Sequence, residues 1–316
     1  MILQNAQSKL LEVSEKINNK PCVFESNLKR FKSCTMQWMG RRESSNVEDR
    51  RGITGGGMAV GGGVIGVIFI LAKFLLGGGD LNDLQQLAPP QQQELTTEQK
   101  AAQDTEAAFV KVVLADTEDV WTKLFSDMGR TYTDPTLVLF SGSTTSACGN
   151  ASAATGPFYC PVDQDVYIDL SFAQQLKDQF GATGEFAMAY VVAHEVGHHV
   201  QDLLGTTKKM EQIQQQVGQT EYNKYSVALE LQADFYAGIW AHYDQKMKNV
   251  IDPQDIQDAL NAANAIGDDR LQQEYQGTVT PDSFTHGTSA QRMYWFKKGY
   301  DTGDMNQGNT FAAENL

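Results

Sequence analysis

Tyr190-Val191-Val192-Ala193-His194-Glu195-Val196-Gly197-His198-His199-Val200-Gln201 is the stretch on which the reading of this chain turns. Apolar or small residues at Phe186, Tyr190, Ala193, Gly197, Val200 and Leu204 keep a helical period, so the spacing predicts a helix over about 184–204. Thr183 is a candidate N-cap, Glu185 lies in the first turn where the helix dipole favours a carboxylate, and Gly205 supplies a stop. On such a helix His194 and His198 stand four apart and share a face, so both imidazoles can bind one zinc ion. Glu195, beside the first, can take a proton from water that the metal acidifies. Gly197 costs the helix about 1 kcal/mol against Ala. Its presence points to a close approach of backbone or metal, or to a plain packing contact.

A surface helix can carry the same letters without binding anything, so the rest of the chain must decide. Catalytic zinc usually has three protein ligands and an open position. The next helical stretch, about 220–246, holds Glu230-Leu231-Gln232-Ala233-Asp234. Glu230 and Asp234 face the same way, flanked by the small residues Ser226, Ala233, Ala237 and Ala241, which let a second helix come near the first. Glu230 is therefore the expected third ligand. Asp234 suits a supporting place, accepting the distal ring N–H of a ligand histidine and fixing its tautomer.

H-E-x-x-H followed by E-x-x-x-D on the next helix is the gluzincin pattern. The wider text is narrower still: Gly-Arg-Arg-Glu-Ser-Ser-Asn-Val-Glu-Asp-Arg-Arg-Gly (40–52), Gly-Pro-Phe-Tyr-Cys-Pro (156–161), Ala-His-Glu-Val-Gly-His-His-Val-Gln (193–201), Glu-Leu-Gln-Ala-Asp (230–234) and Thr-His-Gly-Thr-Ser-Ala-Gln-Arg (285–292). Together these resemble the bacterial putative neutral zinc metallopeptidase family, from about Met36 to the C-terminus. The resemblance implies a membrane-anchored zinc peptidase and supplies no substrate. Related gluzincins also carry a His and an Arg downstream. By that likeness His286, in a Gly/Ser/Thr-rich loop before a helix starting near Ser289, becomes the candidate oxyanion donor. Arg292 becomes a loop-fixing or oxyanion-facing cation. His199 is about 100° round the helix from His198 and reads as a packed or hydrogen-bonded neighbour; His242 reads as structural.

The net charge of −14 is unevenly spread. Residues 1–57 hold ten Lys/Arg and six Asp/Glu, whereas the remainder holds 15 and 33. So acidic a remainder argues against nucleic-acid binding. Met58 to Leu76 is apolar and glycine-rich, and as a helix it would rise about 28 Å, close to a bilayer core. It reads as one transmembrane helix, with Lys73 able to snorkel. Arg41, Arg42, Arg50 and Arg51 precede it, so the positive-inside rule places a basic segment, 36–57, in the cytoplasm and the acidic domain in the periplasm or outside. There Cys148 and Cys160 are spaced for a local disulfide, while Cys22 and Cys34 stay on the cytoplasmic side. Residues 1–35 carry no catalytic, targeting or spanning signature and read as a mis-called start or a poorly ordered extension.

Gly77 to about 96 is a Gly/Gln/Pro linker. The catalytic domain then runs 97–316, opening with a long helix over about 97–127 whose Phe109, Val112, Val113, Val120, Trp121 and Leu124 face a core. Thr136–Ser141 and Asp165–Leu170 read as strands, 171–182 as a short helix, and Asp252-Pro253 as a helix start. Asp165–Leu170, just upstream of the metal helix, is the expected edge strand that takes an extended peptide. The fold class is α+β: a mostly helical, zincin-like domain with a small sheet. The expected activity is a zinc-dependent peptidase acting on a peptide or unfolded protein. Its rivals are a zinc hydrolase of a non-peptide amide and a non-catalytic, membrane-anchored zinc protein.

Overall fold

The computed structural model describes residues 36–51, 97–152, 155–178, 181–182 and 184–312. The extension 1–35, the apolar stretch 58–76, the linker 77–96 and Thr183 lie outside the described residues. Four strands form one sheet in the order β1 (Val47–Asp49), β2 (Thr136–Phe140), β6 (Asp165–Asp169), β5 (Phe158–Cys160). β1, β2 and β6 are parallel and β5 runs antiparallel. A hairpin of β3 (Ser143–Ser146) and β4 (Gly149–Ser152) stands apart, and the expected Cys148–Cys160 disulfide ties its turn to β5.

Parallel strands need both faces covered, and here they are. Leu137, Leu139, Val166 and Ile168 join the main helical core, while Val138, Phe140, Tyr167 and Cys160 bury a smaller cluster on the opposite face. The alternation is the strand period of two.

The helices are α1 (Thr97–Asp127), α2 (Ser171–Asp178), α3 (Glu185–Leu204), α4 (Thr206–Gln214), α5 (Gln219–Lys248), α6 (Pro253–Ala265), α7 (Asp268–Gln276) and α8 (Ser289–Thr302). The six apolar residues expected to face inward from α1 are all buried. Of the expected helix 171–182, α2 is described over Ser171–Asp178, and Gly181 beyond it stands in the left-handed region at φ 64°. Gly184 holds the N-cap position of α3, and Gly205, at φ 84°, ends it. Asp252 and Pro253 open α6 with a reciprocal capping box through Asp255, as their residue types dictate.

Two expectations are corrected by this sheet. The first concerns the edge strand. β6 lies between β2 and β5, so Asp165–Leu170 is interior, and among the described residues the free edge lining the cleft is β5. The antiparallel turn at 161–164 folds β5 onto the outside of β6. The second concerns 36–57. Residues 36–51 are not a separate segment but part of the same compact unit as the helices. β1 pairs with β2, Trp38 packs edge-on against Phe109, and the Met36 N–H donates to Asp255 at 2.9 Å.

The four arginines behind the topology argument are held inside this fold. Arg41 pairs with Asp116, Arg42 with Glu118 and Asp119, Arg50 with Glu48, and Arg51 with Asp49 and Asp104. Paired strands occupy one compartment, so the partition that puts 36–51 and 97–312 on opposite sides of a membrane does not fit this sheet. Among the described residues no helix is long and apolar enough to cross a membrane.

Candidate metal centre

α3 and α5 cross where each carries its smallest residues. A Cβ on Gly197 would lie 2.9 Å from the Ala233 carbonyl oxygen and 3.2 Å from its Cα. Of the two explanations for Gly197, close backbone approach is the one realised. That approach brings the carboxylate of Glu230 to the two histidines. His194 Nε2 lies 3.2 Å from Glu230 Oε2, and His198 Nε2 lies 3.5 Å from Oε1. One ligand atom from each of the three falls within 4.8 Å of the other two.

The distal ring nitrogens are occupied, which aims the Nε2 lone pairs at this point. His194 Nδ1–H donates to Asp234 Oδ1 at 2.8 Å, and His198 Nδ1–H donates to Gln201 Oε1 at 2.8 Å. Gln201 is itself fixed by donating to the Leu229 carbonyl at 2.7 Å. Two neutral imidazoles and one carboxylate, converging with their outer partners in place, fit a divalent cation of zinc type. Burial works against a charged His194, but the Asp234 and Glu230 carboxylates outweigh it and push the ring up to about 10. His198 is raised by Glu230 in the same way. The cluster therefore attracts positive charge, whether a proton or a metal ion.

Asp234 is the hub behind the ligands. It is fully buried and accepts from His194, from the Tyr190 hydroxyl at 2.5 Å, and from both Nε (2.8 Å) and Nη2 (2.9 Å) of Arg292. Burial opposes its ionisation, but Arg292 and His194 hold the carboxyl at about 2. Arg292 has a partner that neither sequence reading named. Its guanidinium forks onto Asp234, and its Nη1 reaches the Ile266 carbonyl at 3.4 Å. It holds Asp234, and through Asp234 the ring of His194, at the wall of the cleft.

Glu195 faces the cleft beside the ligands, and among the described residues no side chain is bonded to its carboxylate. His286 reaches the same cleft on its loop, its side chain half exposed. Its Nδ1 lies 3.2 Å from Asp268 Oδ1, while Asp268 Oδ2 accepts the backbone N–H groups of Thr285, His286 and Gly287. Desolvation works against a charged His286, but Asp268 and then Glu230 outweigh it and raise the ring. His199 is fully buried, donating Nε2–H to the Thr133 carbonyl at 2.6 Å. His242 bonds the Tyr300 carbonyl at 2.7 Å, far along α5.

The cleft has a volume of about 640 Å³ and is walled by apolar groups such as Pro157, Phe158, Val191, Ile266 and Leu271. Sequence reasoning missed Tyr190, Gln201 and Asp268. The first two carry a signal, standing four before His194 and three after His198 on the metal face. Asp268 carries none, because it meets His286 only through the fold of the loop.

A family described as putative neutral zinc metallopeptidase matches residues 36–311. The chain belongs to that family. The match begins at the first described residue, in the segment that carries β1. Among relatives of this metallopeptidase-family chain, the uncharacterized protein YpfJ of Escherichia coli (strain K12) is 51% identical over 285 residues, covering 88% of this chain and 99% of that protein. The uncharacterized protein Rv2575 of Mycobacterium tuberculosis (strain H37Rv) is 49% identical over 195 residues, 58% of this chain and 65% of that protein. No solved structure matches the chain.

Proposed function

We propose that the chain is a zinc-dependent peptidase. His194, His198 and Glu230 hold the ion, and Glu195 is the general base. The observation that carries this reading is the convergence of those three ligands beside a Glu195 that stays open to the cleft. A purely structural zinc closes its shell and has no use for such a base. The ion, when bound, supplies Lewis acidity to water and to the scissile carbonyl. Glu195 takes the proton of the attacking water and returns it to the leaving amine. His286, held by Asp268, steadies the charge that develops on the carbonyl oxygen. Tyr190 and Arg292 hold Asp234, and Asp234 and Gln201 hold the imidazoles.

The free edge of β5 along the cleft favours an extended peptide over a compact amide. The test compares the full-length chain with Glu195→Gln at equal zinc content on reduced, alkylated casein. Wild type is expected to cut, chelator to stop it, and the variant to lose at least about a hundredfold in rate. Equal cutting by both proteins, or none by zinc-loaded wild type, would sink the reading.

A further inference from the structure

β5 is three residues long, and among the described residues no strand pairs with its outer side, which forms an edge of the sheet at the cleft. The Cys160 carbonyl accepts from the Gln164 N–H at 2.9 Å, in the turn that leads into β6. Cys160 pairs with Asp165 of β6, and Pro161 has no N–H to bond across at the next position, so Cys160–Asp165 is the hydrogen-bonded pair; the alternation of an antiparallel ladder then turns the N–H and C=O of Tyr159 the other way, to the outer edge. The next positions of the same orientation are Pro157 and Pro161, and neither has an N–H to donate. The edge offers one complete donor–acceptor pair, at Tyr159.

The side chain of the same residue is anchored on the metal helix. Its hydroxyl lies 3.1 Å from His199 Nδ1 and 3.3 Å from Asp202 Oδ2. His199 is locked through Nε2–H to Thr133, which leaves Nδ1 to accept. His199 directly follows the ligand His198, so β5 is tied to the metal's own helix within one residue of a ligand.

We propose that Tyr159 sets the register of the substrate: its main-chain N–H and C=O take a single residue of an extended peptide, and its hydroxyl fixes that residue relative to the metal. The inference rests on the peptidase reading above and narrows its substrate class. The substrate is a locally unfolded segment paired at one residue, with side chains seated in the apolar cleft. A long strand added to the sheet is excluded by the prolines.

The full-length zinc-loaded chain first cuts reduced, alkylated casein, and the best-cut site gives a short synthetic peptide. Each non-scissile amide of that peptide is replaced in turn by an ester, which removes one N–H. KM is expected to rise about tenfold at one position and to change less than about twofold elsewhere. Tyr159→Phe, with zinc content and melting temperature unchanged, is expected to lose about tenfold in kcat at the main bond and to cut neighbouring bonds as well. A flat ester scan, a rise at several alternating positions, or a Tyr159→Phe that keeps a single cut at the wild-type kcat would overturn the register assignment. A zinc-loaded wild type that cuts no protein fails the peptidase reading itself, which the first step shows before any ester is made.

Discussion

At the scale of single residues, the candidate metal centre depends on groups outside its His194, His198 and Glu230. Asp234 neutralises Arg292, accepts from Tyr190 and orients His194. Asp234→Asn should leave a buried guanidinium without its counter-charge. We expect a loss of about 3 kcal/mol in unfolding free energy, read from urea melts of the zinc-free protein. Gln201→Ala is milder, since it frees only the His198 ring. Zinc affinity, measured by competition with a chromophoric chelator, should fall on the order of tenfold while the fold holds. His194, Glu195 and His198 were legible because one helical period carries all three. The role of Arg292 was not, because its partner is 58 residues away and the direction of a guanidinium is set by packing.

At the scale of elements, the crossing of α3 with α5 sets local propensity against tertiary contact. Gly197→Ala should stabilise an isolated helix by about 1 kcal/mol. In this protein the new methyl would meet the Ala233 main chain at 2.9 Å, and backbone cannot swing aside as a side chain can. Contact wins: a net destabilisation of about 1–3 kcal/mol and weaker zinc binding are expected, from urea melts with and without metal. A variant as stable as wild type would mean the helices can part without cost. α5 and α8 approach in the same manner, with Gly238 against the Phe296 carbonyl and Gly299 against that of Phe235. The helices themselves follow from periodicity and caps. The place of β5 outside β6 does not, because strand order depends on which way a turn folds.

At the scale of the whole molecule, residues 36–51 complete the sheet and their arginines neutralise buried carboxylates. A chain beginning at residue 97 lacks β1 and leaves Asp116 and Glu118 without Arg41 and Arg42; it should fail to give a cooperative melt. In cells, cysteines placed at Glu48 and Asp119 should react with an impermeant maleimide from the same side of any membrane, and opposite labelling would contradict the pairing of β1 with β2.

Stability should also depend on pH through this region. Burial, then Asp116, raises the Asp244 carboxyl well above the usual range, against Lys248 and Arg41. Among the described residues neither Asp244 oxygen has a hydrogen-bond partner. Burial likewise raises Asp255 to about 7. Both folded pKa values exceed the unfolded one. Their contribution is therefore full below about pH 4 and is lost as pH rises toward about 7. Asp244→Asn should escape its share of that loss. Relative to wild type it should gain roughly 1–2 kcal/mol between pH 4 and pH 8, as read from urea melts across that range.

The sequence by itself determined the helix of the candidate metal site with His194, Glu195 and His198, the Glu230 that completes the group and its Asp234 neighbour, the Cys148–Cys160 pair and the α+β class. Each of these is a matter of spacing along one helix, of family text or of local loop length. Only the tertiary structure decided that β5 and not β6 bounds the cleft, that Arg292 serves Asp234, that Asp268 holds His286, and that 36–51 belongs to the same folded unit as the helices. Those contacts join residues far apart in the chain. The basic run at 41–51 illustrates the reason: as a string of charges it resembles a membrane flank, and only the carboxylates opposite it on α1 show that it is an ion-paired strand of the sheet.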